Sequence, residues 1–414
     1  MKQPAGLEPR LVRLLGLVSL AMFFESYDLS MLTSALKHIA EDLGMAEDEL
    51  GGYLGTIRLG ALPALAIVPL ADRLGRRRLF LASLIGMSVT TAATALAHDA
   101  NTFVACQMVM RVFVVAATSV AIVIVTEEYP AAHRGWAIGV LGAIASSGHG
   151  LGALLFSQID RLPYGWRALY AFGALPLLLL PQFRRGIPET SRFVREQARA
   201  TTRPTHWLAP LVALARTYPG RAAGLTAAIF LVSLGDVSVF QFTSYYAQKV
   251  HGWSPGEYAT MFVGAGAVGV VGNVVAGRLG DVVGRRMVGL TAFGLFPLAA
   301  WLFYVGPGWA MPIAFASFVF CQTAGVTILR ALSSELFPTS HRGTAAAWAM
   351  LVQTIGWAVG LWAVGLGTQW GAAIAEMTTW LSTGVLIGGL LLLTLPETKR
   401  RELETISHED GGPR

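Results

Sequence analysis

Residues Asp72-Arg73-Leu74-Gly75-Arg76-Arg77 return 209 positions later as Asp281-Val282-Val283-Gly284-Arg285-Arg286. Two further markers keep nearly the same period. Glu127, Pro130, Arg134 and Gly135 return as Glu335, Pro338, Arg342 and Gly343, and Pro188-Glu189-Thr190 returns as Pro396-Glu397-Thr398, both at an offset of 208. Separate markers at one period describe a chain built as two parallel copies of one unit.

The sequence around these markers says what the unit is. The chain has 414 residues, of which 54% are hydrophobic and 14% charged, against about 25% charge in an ordinary soluble domain. Apolar stretches of spanning length run over 14–36, 51–71, 79–97, 102–126, 136–158 and 166–183, and again over 222–247, 257–277, 287–305, 312–331, 344–368 and 373–395. This predicts an all-α membrane protein, with twelve transmembrane helices in two pseudo-symmetric six-helix bundles. The bundles cover 1–183 and 222–395, joined by a linker over 184–221 and followed by a tail over 396–414. The first run carries Glu25 and Asp28, exceeds the usual length of a signal-peptide core and has no small-residue cleavage site after it, so it is expected to remain as the first span. Cys106 and Cys321 lie far apart in apolar runs and read as buried small residues, which excludes a disulfide scaffold.

The net charge of +6 resembles a nucleic-acid footprint until the basic residues are placed. With the N-terminus inside, 24 of the 31 Lys and Arg fall in loops and tails on the cytoplasmic side, eight of them in the linker. By the positive-inside rule both termini are expected in the cytoplasm of a multi-pass inner-membrane protein. The charge is then a record of topology, and no nucleic-acid partner is expected.

With these residues in view, the chain resembles the major facilitator superfamily over essentially its whole length. Gly277, Asp281, Gly284 and Arg285 match the family's loop signature in the second half; in the first half Val68 stands where the glycine is expected and the charged part is intact. The Glu127-to-Arg134 and Glu335-to-Arg342 spacings, with the two Pro-Glu-Thr segments, resemble the sugar porter branch and its metabolite:proton relatives. The seventh run reads SLGDVSVFQFTSYY and lacks the sugar porters' double glutamine, while Glu25-Ser26-Tyr27-Asp28 is closer to the metabolite:proton and aromatic-acid:proton symporters. The resemblance implies secondary active transport by alternating access, with two halves rocking about a midplane site.

An ionised side chain at the bilayer centre costs about 2.5–3.5 kcal/mol even on lenient scales, so each one needs a reason. Glu25 and Asp28 share one face of the first run; Arg58, Arg111 and Asp236 lie in the second, fourth and seventh. At about 1.5 Å per residue, Asp28, Arg58 and Arg111 can meet at one depth, roughly 12 Å in. Asp28 is the candidate proton-coupling carboxylate, with Glu25 beside it and Arg111 as its ground-state partner, an assignment that the resemblance also suggests. A static salt bridge fixing helix packing is the alternative. Arg58 binds an anionic substrate group or neutralises Glu25, and Asp236 is a second substrate or proton site or a packing residue.

Further candidate substrate contacts are Gln241, Tyr245, Asn273, Gln322, Gln353 and Trp357, polar or aromatic groups on runs that line the cavity in this architecture. Each competes with a plain interhelical hydrogen bond. His149, between Gly148 and Gly150, is a candidate relay or a packing contact, and Gly142, Gly148 and Gly152 allow close helix approach. At the cytoplasmic ends, Asp72, Arg76, Glu127 and Arg134, and their repeats Asp281, Arg285, Glu335 and Arg342, are expected to form charge clusters that act as a gate, with Arg330 assigned to the same region. No phosphate-binding loop, catalytic constellation or metal-ligand spacing occurs, so no enzyme activity, metal or cofactor is expected. The expected function is proton-coupled symport of a small organic solute, an organic or aromatic carboxylate, by a monomer in the lipid bilayer. A sugar or organic-cation transporter, a proton antiporter exporting drugs or metabolites, and a non-transporting sensor with this fold remain the alternatives.

Overall fold

In a hydrocarbon layer every backbone N–H and C=O must find its partner within the chain, so apolar runs of this length become helices. The structure is a computed structural model describing residues 8–197, 214–337 and 342–399. Among the described residues, 11 helices are long and apolar enough to cross a membrane. Spans 1 to 5 are Pro9–Ser34, Glu47–Leu74, Arg76–Ala95, Ala100–Glu128 and Ala132–Phe156; spans 7 to 12 are Pro219–Lys249, Pro255–Val282, Arg285–Val305, Gly308–Glu335, Thr344–Gln369 and Ile374–Thr394.

The sixth expected helix is present in pieces, Trp166–Gly173, Leu175–Leu177 and Leu180–Gly186. Pro176 and Pro181 remove backbone donors and interrupt the α-helical ladder, while the composition stays apolar throughout. Counting this broken span 6, the expected all-α, twelve-span architecture holds. Span 2 is also irregular, passing through a short 3₁₀ turn at Val68–Leu70 that contains Pro69.

By its contacts the chain forms two compact units. The first takes in residues up to Met45, those from Thr56 into the linker, and Trp253–Ala259; the second takes in Ala46–Gly55, the chain from the linker to Gly252, and Thr260 onward. Within the first unit span 1 packs on span 5, span 3 on span 4, and span 3 on the first piece of span 6. Within the second, span 7 packs on spans 11 and 12, and span 9 on spans 10 and 12. Spans 1, 3, 4 and 5 enclose an apolar core that includes Val18, Met22, Phe80, Met110, Val120 and Ile124.

Glycines set the closest approaches. A β-carbon at Gly148 would lie 2.0 Å from the Phe23 carbonyl oxygen and one at Gly152 2.0 Å from Ser30 Oγ, so the backbone of span 5 meets the backbone of span 1 at Gly148 and its side chains at Gly152. Gly142 does not take part: nothing lies within 4 Å of the place its β-carbon would occupy. In the second unit Gly356 and Gly360 play the same role against span 7, facing the Phe230 and Leu234 carbonyls.

Side chains also cap span starts away from the arginines, and ahead of span 2 Glu49 Oε2 accepts from the Ala46 amide at 3.3 Å. Asp99 accepts from the Thr102 amide at 2.9 Å ahead of span 4. Ser254 and Glu257 form a reciprocal capping box at the start of span 8, with the Ser254 amide donating to Glu257 Oε2 at 2.7 Å and the Glu257 amide to Ser254 Oγ at 3.2 Å.

Candidate functional site

The arginine-bearing ends of the two units are built on one plan. Gly75 and Gly284, at φ 99° and 126°, turn the chain into spans 3 and 9 in the left-handed region that favours glycine. The opened helix start presents unpaired amides, and a carboxylate takes them. Glu189 accepts from the Arg77 amide at 3.1 Å; Glu397 accepts from the Arg285 amide at 3.0 Å and the Arg286 amide at 3.2 Å. The threonine that follows each of these acids donates 2.6 Å to the cluster carboxylate, Thr190 to Glu127 and Thr398 to Glu335.

The arginines complete the clusters. Arg76 meets Glu127 at 3.1 Å and Asp72 at 3.0 Å, and its guanidinium lies 5.1 Å from the centre of the Phe193 ring. Arg285 meets Glu335 at 2.6 Å and Asp281 at 3.2 Å. Each cluster therefore lies inside one unit and ties the starts of spans 3 and 9 to the ends of spans 4 and 10. Arg134 stands outside the described ion pairs; it sits in the first turn after Pro130 and reaches back to the Tyr129 carbonyl at 3.4 Å. The side chain of Arg342 lies outside the described residues. Arg330 is exposed and enters none of the described ion pairs. The part played by the Pro-Glu-Thr segments was visible only as a repeat, although an acid beside a helix start is itself a capping signal.

Deep in the first unit, span 1 holds Glu25 and Asp28, 7% and 0% exposed. Asp28 Oδ2 accepts from Thr91 of span 3 at 2.8 Å. Its other oxygen, Oδ1, has no hydrogen-bond partner, and a β-carbon at Gly173 of span 6 would lie 2.0 Å from it. Asp28 and Arg111 form no ion pair among the described residues, so the expected direct pairing is replaced by the contact with Thr91. The physical reason is direction: depth along a helix sets the level of a side chain, and its angle about the axis sets the neighbour. Arg111 lies instead within electrostatic reach of Glu25 and of Tyr170 of span 6, and Thr118, whose hydroxyl donates to the Val114 carbonyl at 2.9 Å, stands near Glu25. Tyr170 is fully buried, its hydroxyl has no partner, and it interacts with both Asp28 and Arg111. Thr91, Tyr170 and Gly173 carried no signal in the sequence, since uncharged residues in apolar runs are ordinary.

Arg58 is half-buried where span 2 becomes irregular, and His149 is half-buried on span 5 beside the Gly148 contact. In the second unit Asp236 is 3% exposed. Trp357 Nε1 donates to its Oδ1 at 3.1 Å, and Gln322 Nε2 donates to Oδ2 at 3.5 Å. Gln353 lies one turn before Trp357, and Gln241 is buried one turn beyond Asp236. Two expected members lie elsewhere: Tyr245 donates to Glu47 at 3.2 Å, and Asn273 is exposed and accepts from Thr327 at 2.7 Å. Asp236 stands 208 positions after Asp28, on the repeat period of the loop markers. Among the described residues no three of His, Cys, Asp and Glu gather as a metal site requires.

Two repeated bundles of apolar helices long enough to span a membrane, each with an acid buried inside it, define a polytopic helical membrane protein. The chain belongs to the Major Facilitator Superfamily, whose family model matches residues 18–361 and 225–412. It is 25% identical to the gallate transporter of Pseudomonas putida, over 83% of this chain and 82% of that one. It is also 25% identical to the 3-(3-hydroxy-phenyl)propionate transporter of Escherichia coli, over 97% and 98% of the two chains. Among solved structures, that of a D-xylose-proton symporter superposes with a TM-score of 0.77 at 18% identity, over 94% of this chain and 98% of that one. The protein is thus a multi-pass secondary transporter of a small organic solute, not an enzyme.

Proposed function

We propose that the protein is a proton-coupled symporter of an organic carboxylate, with an aromatic acid as the substrate class, working by alternating access as a monomer. The observation that carries the reading is Asp28, wholly buried, held by one threonine hydroxyl and left with an unpartnered oxygen against Gly173. A membrane-buried acid without a counter-ion discriminates strongly between its protonated and ionised forms. A conformational change that opens it to water then exchanges its proton, which links proton occupancy to the state of the carrier. Glu25, one turn away, shares the apolar setting and tunes the same charge balance. Arg111 and Arg58 are the groups for the substrate carboxylate. The Nε of Arg111 has no hydrogen-bond partner, and a guanidinium suits a planar anion. The polar groups of the second unit, Asp236, Gln241, Gln322, Gln353 and Trp357, supply further substrate contacts, and His149 a secondary one.

The aromatic-acid class is supported by the relatives whose names carry gallate and a hydroxyphenylpropionate. The arginine distribution supports insertion in the inner membrane with both termini and both charge clusters on the cytoplasmic side, where breaking and reforming of the clusters would act as a gate.

The test is uptake of labelled aromatic acids into proteoliposomes under an imposed pH gradient. Asp28→Asn is expected to abolish accumulation while retaining substrate counterflow; unchanged accumulation would remove Asp28 from the coupling role. Arg111→Ala is expected to damage both.

A further inference from the structure

We propose that Asp236 is a hydroxyl acceptor that makes span 7 selective for aromatic acids bearing a ring hydroxyl. This rests on the carboxylate-symport reading and goes beyond it to the group that decides between substrates.

Asp28 and Asp236 occupy the same repeat position, yet they turn to different neighbours. Asp28 faces spans 3 and 6, through Thr91 and Gly173. Asp236 faces spans 10 and 11, through Gln322 and Trp357, both half-buried. A carboxylate only accepts hydrogen bonds, so it repels the carboxylate end of an anionic substrate and receives an O–H. The bond from Gln322, at 3.5 Å, is at the limit of a hydrogen bond. A phenolic O–H would sit about 2.5–2.7 Å from a carboxylate oxygen, so exchange of the amide for the hydroxyl strengthens the contact. Trp357, fixed by its own bond to Oδ1, sets an aromatic side chain beside the acid, a suitable neighbour for the ring that carries the hydroxyl. A buried acid, a weakly held amide and an oriented indole together form a reader for one aromatic hydroxyl. A site built around such a group penalises the analogue lacking it far more than an apolar pocket penalises a missing methylene.

The experiment is calorimetric titration of the purified full-length protein with benzoate, 3- and 4-hydroxybenzoate, and the matching methoxybenzoates. The wild type is expected to bind one hydroxybenzoate about 10–100-fold more tightly than benzoate, with the matching methoxy compound no tighter than benzoate because it has no proton to donate. Asp236→Asn is expected to bring the hydroxy-to-benzoate ratio within about 3-fold, whatever it does to benzoate binding itself. Equal affinity of the hydroxy and methoxy compounds, a ratio untouched by Asp236→Asn, or equal weakening of all ligands would overturn the assignment. The methoxy comparison uses the wild type alone and stands even where the variant does not fold. If no benzoate binds but a sugar or an amine does, the carboxylate reading itself falls, an outcome separate from the loss of hydroxyl preference.

Discussion

The loop ends of the two units are near copies, whereas their membrane interiors differ. At the loop ends a positive-φ glycine, a capping glutamate, a donating threonine and an Arg–Glu pair recur, the threonine bonds both 2.6 Å and the Arg–Glu distances 3.1 and 2.6 Å. In the interior the repeat preserves the position of an acid, while the described donors differ, a threonine hydroxyl of span 3 to Asp28 and side-chain N–H groups of spans 10 and 11 to Asp236. The difference separates two tasks. Holding helix ends together needs the same geometry in both halves, while the proposed coupling by Asp28 and recognition by Asp236 call for the halves to diverge.

The likeness of the loop ends can be broken by burial. The side chains of Arg76 and Glu127 are 5% and 8% exposed, against 17% and 20% for Arg285 and Glu335. Removing one partner of a buried pair leaves an uncompensated charge, costing about 3–5 kcal/mol, and water screens the more open pair. Arg76→Ala is therefore expected to lower the melting temperature of the purified protein more than Arg285→Ala. Equal shifts would show that burial does not govern these clusters.

The glycines come next in size. A β-carbon at Gly75 would lie 2.3 Å from Glu189 Oε2, and one at Gly284 2.9 Å from Glu397 Oε2. Gly75→Ala and Gly284→Ala both strain a left-handed backbone, at about 1–3 kcal/mol, and Gly75→Ala also displaces the capping acid more. Thermal unfolding should rank Gly75→Ala as the more damaging, and the reverse order would mean that the capping carboxylate yields freely.

The smallest effect lies at the start of span 8, where Ser254 adds a hydroxyl donor to a cap whose repeat at the start of span 2, the Ala46 amide donating to Glu49 Oε2 at 3.3 Å, has none. The Ser254 amide and hydroxyl both donate to Glu257 Oε2, at 2.7 and 2.8 Å, and such bonds are strongest to an ionised carboxylate. That contribution is lost when the carboxylate is protonated. The melting difference between the wild type and Glu257→Gln should be present at neutral pH and vanish in the acid range below pH about 4. A difference independent of pH would show that the charge plays no part.

The fold was legible because apolar length is conspicuous and the period of 208–209 residues is marked by charged residues. The breaks in span 6 were hidden, because Pro176 and Pro181 leave the run apolar while ending its hydrogen-bond ladder. Asp28 was legible as a costly charge. Its partner was not, because an error of one residue turns a side chain about 100° around the helix axis, which is enough to exchange Arg111 for Thr91. Tyr170 and Gly173 escaped for another reason: their importance comes from what they touch, and only the packing of span 6 against span 1 reveals it. The reach of Thr190 and Thr398 into the clusters was written in the sequence, as the third residue of a segment that appears in both halves.

The glycine contacts of span 5 have a practical consequence. With Gly148 and Gly152 pressed against Phe23 and Ser30, no compressible layer separates spans 1 and 5, so the two helices form one lever and the segment bearing Asp28 cannot slide without carrying its neighbour. Gly142, on the same helix with open space around it, is then a handle on that lever. A spin label on Gly142→Cys, in a background with Cys106 and Cys321 replaced, would follow the motion of the helix that carries Asp28 without touching that acid.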